Sequence, residues 1–223
     1  MKKTILLLLL AIAVTSCRTS YGVAFFLDLE KVTKDGMEEV NKPLSPSSYE
    51  DKLLAMNFEV VNNNLLVEIH NKTNEPIDII WDKVSSVNPY GEAERIIHAG
   101  VAYADRYKSM ANSTIPPHSY IKDNITTSRS VYYSILYKTW VDSYIYTWAF
   151  SNKKSAVHFA KENTGKPVRL HFHLTKGTET LTYDVQFKLV NPTFNFTSKD
   201  IQSLEVSFEK EDKVKNTMSD VYM

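Results

Sequence analysis

Residues 169–189 read RLHFHLTKGTETLTYDVQFKL, and this stretch decides the fold class. Leu170, Phe172 and Leu174 alternate with Arg169, His171 and His173; Leu181, Tyr183, Val185, Phe187 and Leu189 alternate on the way back. A period of two puts each apolar set on one face of an extended strand. Gly177-Thr178 suits a type II′ turn, which takes glycine at its first central position. With that turn Lys176 faces Glu179, Leu174 faces Leu181 and His171 faces Asp184. Opposite charges and apolar residues then both match across the pair. The stretch is predicted to be an antiparallel hairpin.

Working outward, the same pattern recurs near the other end of the chain. Leu54, Met56, Phe58 and Val60 share one face, as do Leu65, Val67 and Ile69. A two-residue loop at Asn62-Asn63 pairs Val60 with Leu65, Phe58 with Val67 and Met56 with Ile69. Asparagine tolerates the positive φ such a turn requires, and a one-residue slip would turn every apolar residue to solvent. Further alternation marks strands at Val23–Val32, at Ile77, Ile79 and Trp81, at Ile97–Tyr103, at Tyr120–Ile125 and at Leu204–Phe208. Eight or nine short strands without a repeated helical pattern predict an antiparallel β-sandwich.

Composition agrees. Of 223 residues, 43% are hydrophobic and 23% charged, which excludes a disordered chain and a multi-span membrane protein. Lys+Arg and Asp+Glu are both 26, so no bulk charge gathers nucleic acid. Lys2-Lys3 precedes an unbroken apolar run, Ile5–Val14, far shorter than the roughly 20 residues a spanning helix needs. That is the layout of a secretion signal. Val14-Thr15-Ser16-Cys17 then resembles the lipobox of bacterial lipoproteins, whose cysteine is acylated and becomes the first mature residue. Cys17 is the sole cysteine, so it has no partner for an internal disulfide. The expected organisation is a signal peptide at 1–16, a lipidated tether at 17–22, the sandwich at 23–208 and a polar tail at 209–223.

A resemblance adds to this. Asn71-Lys-Thr-Asn-Glu-Pro-Ile leading into Ile79-Ile-Trp-Asp, Arg95-Ile-Ile-His-Ala-Gly-Val-Ala-Tyr, Ile115-Pro-Pro-His-Ser and the Lys176-Gly177 hairpin resemble immunoglobulin-like lipoprotein domains of Bacteroidetes-type cell envelopes. The resemblance spans roughly residues 50 to 190. It implies an all-β, antiparallel immunoglobulin-like β-sandwich at the envelope, expected at the outer membrane. It brings no catalytic or ligand residues. His118 stands where glycine often follows the two prolines.

Motifs of catalysis are absent from the sequence. It holds no G-x-S-x-G elbow, no H-E-x-x-H, no phosphate-binding glycine loop and no calcium loop. No catalytic residue, cofactor or metal is expected. His171-x-His173 with Asp184 is the nearest approach to a metal set, and it reads equally as the polar face of the hairpin. The unusual segment is 131–150, with Tyr132, Tyr133, Tyr137, Trp140, Tyr144, Tyr146, Trp148 and Phe150 but only Lys138 and Asp142 charged. As an aromatic-rich insertion it offers Trp140, Tyr144, Tyr146 and Trp148 as candidate surface for a protein or a glycan. As plain strand it would cover the sandwich, with Trp148 sharing a buried face with Tyr144, Tyr146 and Phe150, and Trp140 more exposed. The expected activity is that of a lipid-anchored binding or structural module. A carbohydrate-binding accessory lipoprotein and an envelope hydrolase are the alternatives.

Overall fold

The computed structural model describes residues 20–39, 47–61, 64–142 and 146–195. Cys17, Tyr144, the Asn62-Asn63 turn, the strand expected at 204–208 and the tail lie outside them. The elements run β1 Tyr21–Lys34, β2 Met37–Glu39, β3 Ser48–Glu50, β4 Leu54–Val61, β5 Asn64–Asn71, β6 Ile77–Ile79, β7 Ser85–Val87, β8 Ala93–His98, β9 Ser113–Ile115, β10 Tyr120–Thr127, β11 Val131–Ser134, β12 Thr139–Asp142, β13 Thr147–Phe150, α1 Lys153–Asn163, β14 Pro167–Lys176 and β15 Glu179–Phe194. Among the described residues the chain is all-β and predominantly antiparallel, with one short α-helix. It divides into two compact units: a larger one of residues 24–147 and 163–192, and a smaller one that gathers 148–162 with the segments around 20–23 and 193–195.

In the larger unit the hydrogen-bonded order runs β1-β15-β14-β7-β8-β10-β5-β4-β3. The registers of both principal hairpins follow from their alternation. Leu174 pairs with Leu181 and His171 with Asp184; Phe58 pairs with Val67 and Met56 with Ile69. Gly177 has φ +59°, and Thr178 is not among the positive-φ residues, as a type II′ turn requires. A Cβ at Gly177 would meet Glu75 at an ordinary 3.7 Å, so side chains are excluded by backbone strain rather than by crowding. Gly177→Val is therefore expected to cost about 1 kcal/mol or more. An unchanged melting temperature would overturn that turn geometry.

The sheet curls, and its inner face closes on itself. Phe58 of β4 meets Phe187 of β15 edge-on at 5.0 Å and Phe172 of β14 at 6.3 Å. Leu65, Ile69, Ile77, Ile96, Leu170 and Val185 fill the space around them, all essentially solvent-free. The Asn71-Lys-Thr-Asn-Glu-Pro string works as a clamp: Asn71 Nδ2 donates to the carbonyls of Glu75 (2.7 Å) and Ile115 (3.0 Å), while Oδ1 accepts from Thr73 N–H at 2.9 Å. The Asn71 side chain is buried and satisfied on both ends.

In the smaller unit, Trp148 and Phe150 of β13 flank Phe159 of α1 at 5.0 and 5.1 Å. Gly22 and Asn195 hold the two chain segments together, through Gly22 N–H to Asn195 Oδ1 at 2.8 Å and the return bond at 3.3 Å. Helix α1 is an element the strand alternation did not indicate. Asn152 Oδ1 accepts Ser155 N–H at 2.8 Å and caps the first turn, and Gly165, at φ +84°, follows the last.

Candidate functional site

The 131–150 segment divides into three parts that behave differently. β11 and β12 pair only with each other, as a two-stranded sheet separate from the main one. Tyr133 faces Trp140 and Ser134 faces Thr139, so the loop is Ile135-Leu136-Tyr137-Lys138. Ser134 Oγ accepts Tyr137 N–H at 3.3 Å, and Lys138 at φ +51° brings the chain back into β12.

Strand alternation gives this small hairpin two faces. Val131, Tyr133, Trp140 and Asp142 share the face turned to the turn at residues 103–107. There the Tyr103 hydroxyl donates to Asp142 Oδ2 at 3.0 Å, and the Arg106 guanidinium lies 4.5 Å from the Trp140 ring centre and 4.6 Å from that of Tyr107. Arg106 Nη1 donates to the Tyr103 carbonyl at 3.2 Å while its Nε is buried without a hydrogen-bond partner, so ring faces meet part of the charge. Burial and the Asp142 carboxylate raise the Tyr103 phenol above its ordinary pKa and keep it a donor. Tyr133 stands edge-on to Trp140 at 5.7 Å. The hairpin base is thus held by a hydrogen bond, a stacked cation and an aromatic pair.

Its tip is not held by packing. Ile135 is 85% exposed, Leu136 81% and Tyr137 72%, and Tyr132 and Tyr133 are about half exposed. Lys138 has no ion-pair partner among the described residues. Burying Leu or Ile is worth about 1.5–3 kcal/mol, so three consecutive exposed apolar side chains form a surface whose energy is unspent.

Of the four residues singled out by sequence, Tyr144 lies outside the described residues, and the other three have different settings. Trp140 is half-buried at the hairpin base, and Trp148 is half-buried on Phe159 in the other compact unit. Neither tryptophan is fully buried or fully exposed. Tyr146 is buried at φ +54°, a backbone state foreign to a strand, with its hydroxyl near Ser86. Burial foremost pushes that phenol up to about 12. The reading by residue type chose Trp140, Tyr144, Tyr146 and Trp148; the structure adds an exposed apolar group at Ile135, Leu136 and Tyr137. Their signal was loop position: apolar residues between two strands have no neighbouring strand to cover them.

Elsewhere, a shallow depression of about 400 Å³ is lined by His70, Lys72, His118, Ser119 and Tyr120. The His70 and Tyr120 rings stack at 4.9 Å. His171 Nδ1 meets Asp184 at 3.1 Å, whereas His173 Nε2 faces the Lys83 ammonium at 3.3 Å. Burial, then Lys83 and His171, lower the His173 pKa. A set that already faces an ammonium repels a second cation, and among the described residues no group of three or more His, Cys, Asp or Glu is arranged for a metal. His98 Nδ1 meets Asp123 Oδ2 at 3.1 Å beneath Trp81, whose ring stacks on it at 4.4 Å. No hydroxyl among the described residues bonds its other ring nitrogen. No family model, curated protein or solved structure matches the chain.

Proposed function

We propose that this chain is a lipid-anchored protein of the bacterial outer membrane, acylated at Cys17, with an immunoglobulin-like sandwich that acts by binding or support rather than by catalysis. The observation that carries the binding role is the β11–β12 hairpin, fixed at its base by Tyr103–Asp142 and Arg106–Trp140 and apolar at its exposed tip. Rigid support beneath exposed apolar side chains is what a docking element needs, because little ordering entropy is lost on contact. The anchor is supported by the apolar run Ile5–Val14 ending at Val14-Thr15-Ser16-Cys17. The sandwich is supported by the curled sheet that sets Phe58 against Phe172 and Phe187.

Two measurements test this reading. Mass spectrometry of the native protein is expected to show residues 1–16 missing and acyl mass on Cys17; a free thiol there sinks the anchored reading. A photo-crosslinking residue at position 136 in living cells is expected to capture an envelope component, while the same residue at exposed position 59 on β4 does not. Equal capture from both positions removes the binding role from the hairpin.

A second reading, a carbohydrate-binding accessory lipoprotein, is favoured by the His70–Tyr120 pair. A Tyr120 ring exposed beside Lys72, His118 and Ser119 joins an apolar platform to several hydrogen-bonding groups, the combination a sugar ring requires.

A further inference from the structure

We propose that the Ile135-Leu136-Tyr137 tip inserts into the boundary between headgroups and acyl chains of a phospholipid bilayer, with Lys138 meeting anionic headgroups. This deepens the binding role given above to the same hairpin and rests on its envelope location.

Four observations point to a bilayer rather than to a protein or a sugar. The tip is convex and aliphatic: Ile135 and Leu136 are its most exposed residues and carry no polar atom for a sugar hydroxyl. A projecting apolar tip needs either a concave apolar slot or a fluid. Two depressions of the described surface are instead ringed by polar groups, one by His70, Lys72 and His118 and the other by Glu59, Glu68 and Lys122, so neither offers a second copy a slot.

Below the aliphatic residues sit Tyr132 and Tyr133, each about half exposed, amphipathic rings of the type that settles at a membrane–water interface. Charge fits as well. Within residues 131–142 the charged groups are Lys138 and Asp142, and Asp142 is engaged by Tyr103, whereas Lys138 at the tip is unpaired among the described residues. Such a cation beside an anionic surface is attracted rather than repelled. Three side chains give a modest contact, suited to orienting a protein already tethered through its lipidated Cys17.

The test exploits the single cysteine. In the native acylated protein, Leu136→Cys supplies a unique free thiol for an environment-sensitive fluorophore, and Thr178→Cys on the Gly177 turn supplies the control. Each is reconstituted in vesicles of phosphatidylethanolamine and phosphatidylglycerol, with and without brominated acyl chains. The probe at 136 is expected to shift to the blue and to be quenched at a depth of about 5–10 Å, while the probe at 178 stays in water. Replacing phosphatidylglycerol by phosphatidylcholine is expected to weaken the quenching, as is Lys138→Glu; unchanged quenching in both overturns the headgroup contact.

A vesicle-bound, acylated protein whose 136 probe stays in water overturns the insertion and leaves the anchor standing. Absence of acyl mass on Cys17 in the same preparation overturns the anchor alone, because insertion is then read directly by co-sedimentation. A 136 probe that is buried only as protein concentration rises, or only when envelope proteins are added, assigns the tip to a second copy or to a protein partner and overturns the bilayer contact.

Discussion

Replacing Phe187 with alanine is expected to lower stability by about 3–5 kcal/mol, enough to consume a large part of the margin of a typical domain. Phe187 is solvent-free in β15 and stands edge-on to Phe58 at 5.0 Å, where the curled sheet closes on itself. The substitution removes buried ring area, leaves a cavity that stiff neighbouring strands cannot fill, and breaks an aromatic pair. Urea unfolding followed by far-ultraviolet circular dichroism reads the loss as a lower midpoint. Phe26→Ala on β1 is the control: its ring is 57% exposed, and the expected change is within about 0.5 kcal/mol. Equal effects from the two variants would mean that the core is not where the Phe58 contact puts it.

Asp51→Ala is the second large expected effect, roughly 3–5 kcal/mol. The Asp51 carboxylate, nearly shielded from water, accepts Leu53 and Leu54 N–H groups on Oδ1 at 2.8 Å each. Its Oδ2 accepts the Tyr183 hydroxyl at 2.9 Å and the Lys34 ammonium at 3.2 Å. Alanine strands all four donors, two of them backbone, and unmade buried hydrogen bonds cost more than made ones contribute. Asp51→Asn keeps much of the geometry and is expected to lose less.

The same carboxylate carries a pH signature. Burial pushes its pKa up, but the Leu54 and Leu53 N–H groups, the Tyr183 hydroxyl and Lys34 together outweigh burial and hold it below the ordinary range. A folded-state pKa below the unfolded one makes the ionised form the one the fold prefers. Its contribution is complete above the unfolded value near 4 and drains away as pH falls through the folded value. Wild-type stability measured from pH 6 downward should fall in that window, with a smaller slope for Asp51→Asn. Parallel slopes would remove Asp51 from the acid response.

Much of this fold was legible in the sequence because its two main hairpins obey one rule throughout. Period-two alternation sets the face, and turn chemistry sets the register, so Leu174–Leu181 and Phe58–Val67 followed from counting. Helix α1 was not legible for the opposite reason. Its buried apolar residues are Ala156, Val157 and Ala160, small side chains whose helical period is faint between Lys153-Lys154 and Lys161. Its boundary signals, Asn152 and Gly165, are ones that strands and turns also use.

The candidate site was half legible. Aromatic richness drew attention to 131–150, but composition does not tell a ring at a hairpin base from one in another unit, as Trp140 and Trp148 turned out to be. Nor does residue type announce that Tyr146 takes a positive φ and turns inward. What separates the three parts is where the chain reverses, and that depends on which strands the rest of the molecule leaves unpaired.

The position of β1 beside β15 bears on how this molecule is made. Glu30 of the first strand reaches Lys188 at 2.6 Å and Gln186 at 2.8 Å, residues that leave the ribosome some 150 positions later. Until then β1 has a bare hydrogen-bonding edge and a row of apolar side chains with nothing to cover them. A chain wired this way keeps that edge open until β15 is delivered. Closure of the sheet over its first strand therefore waits for the β14–β15 hairpin, whichever elements form before it.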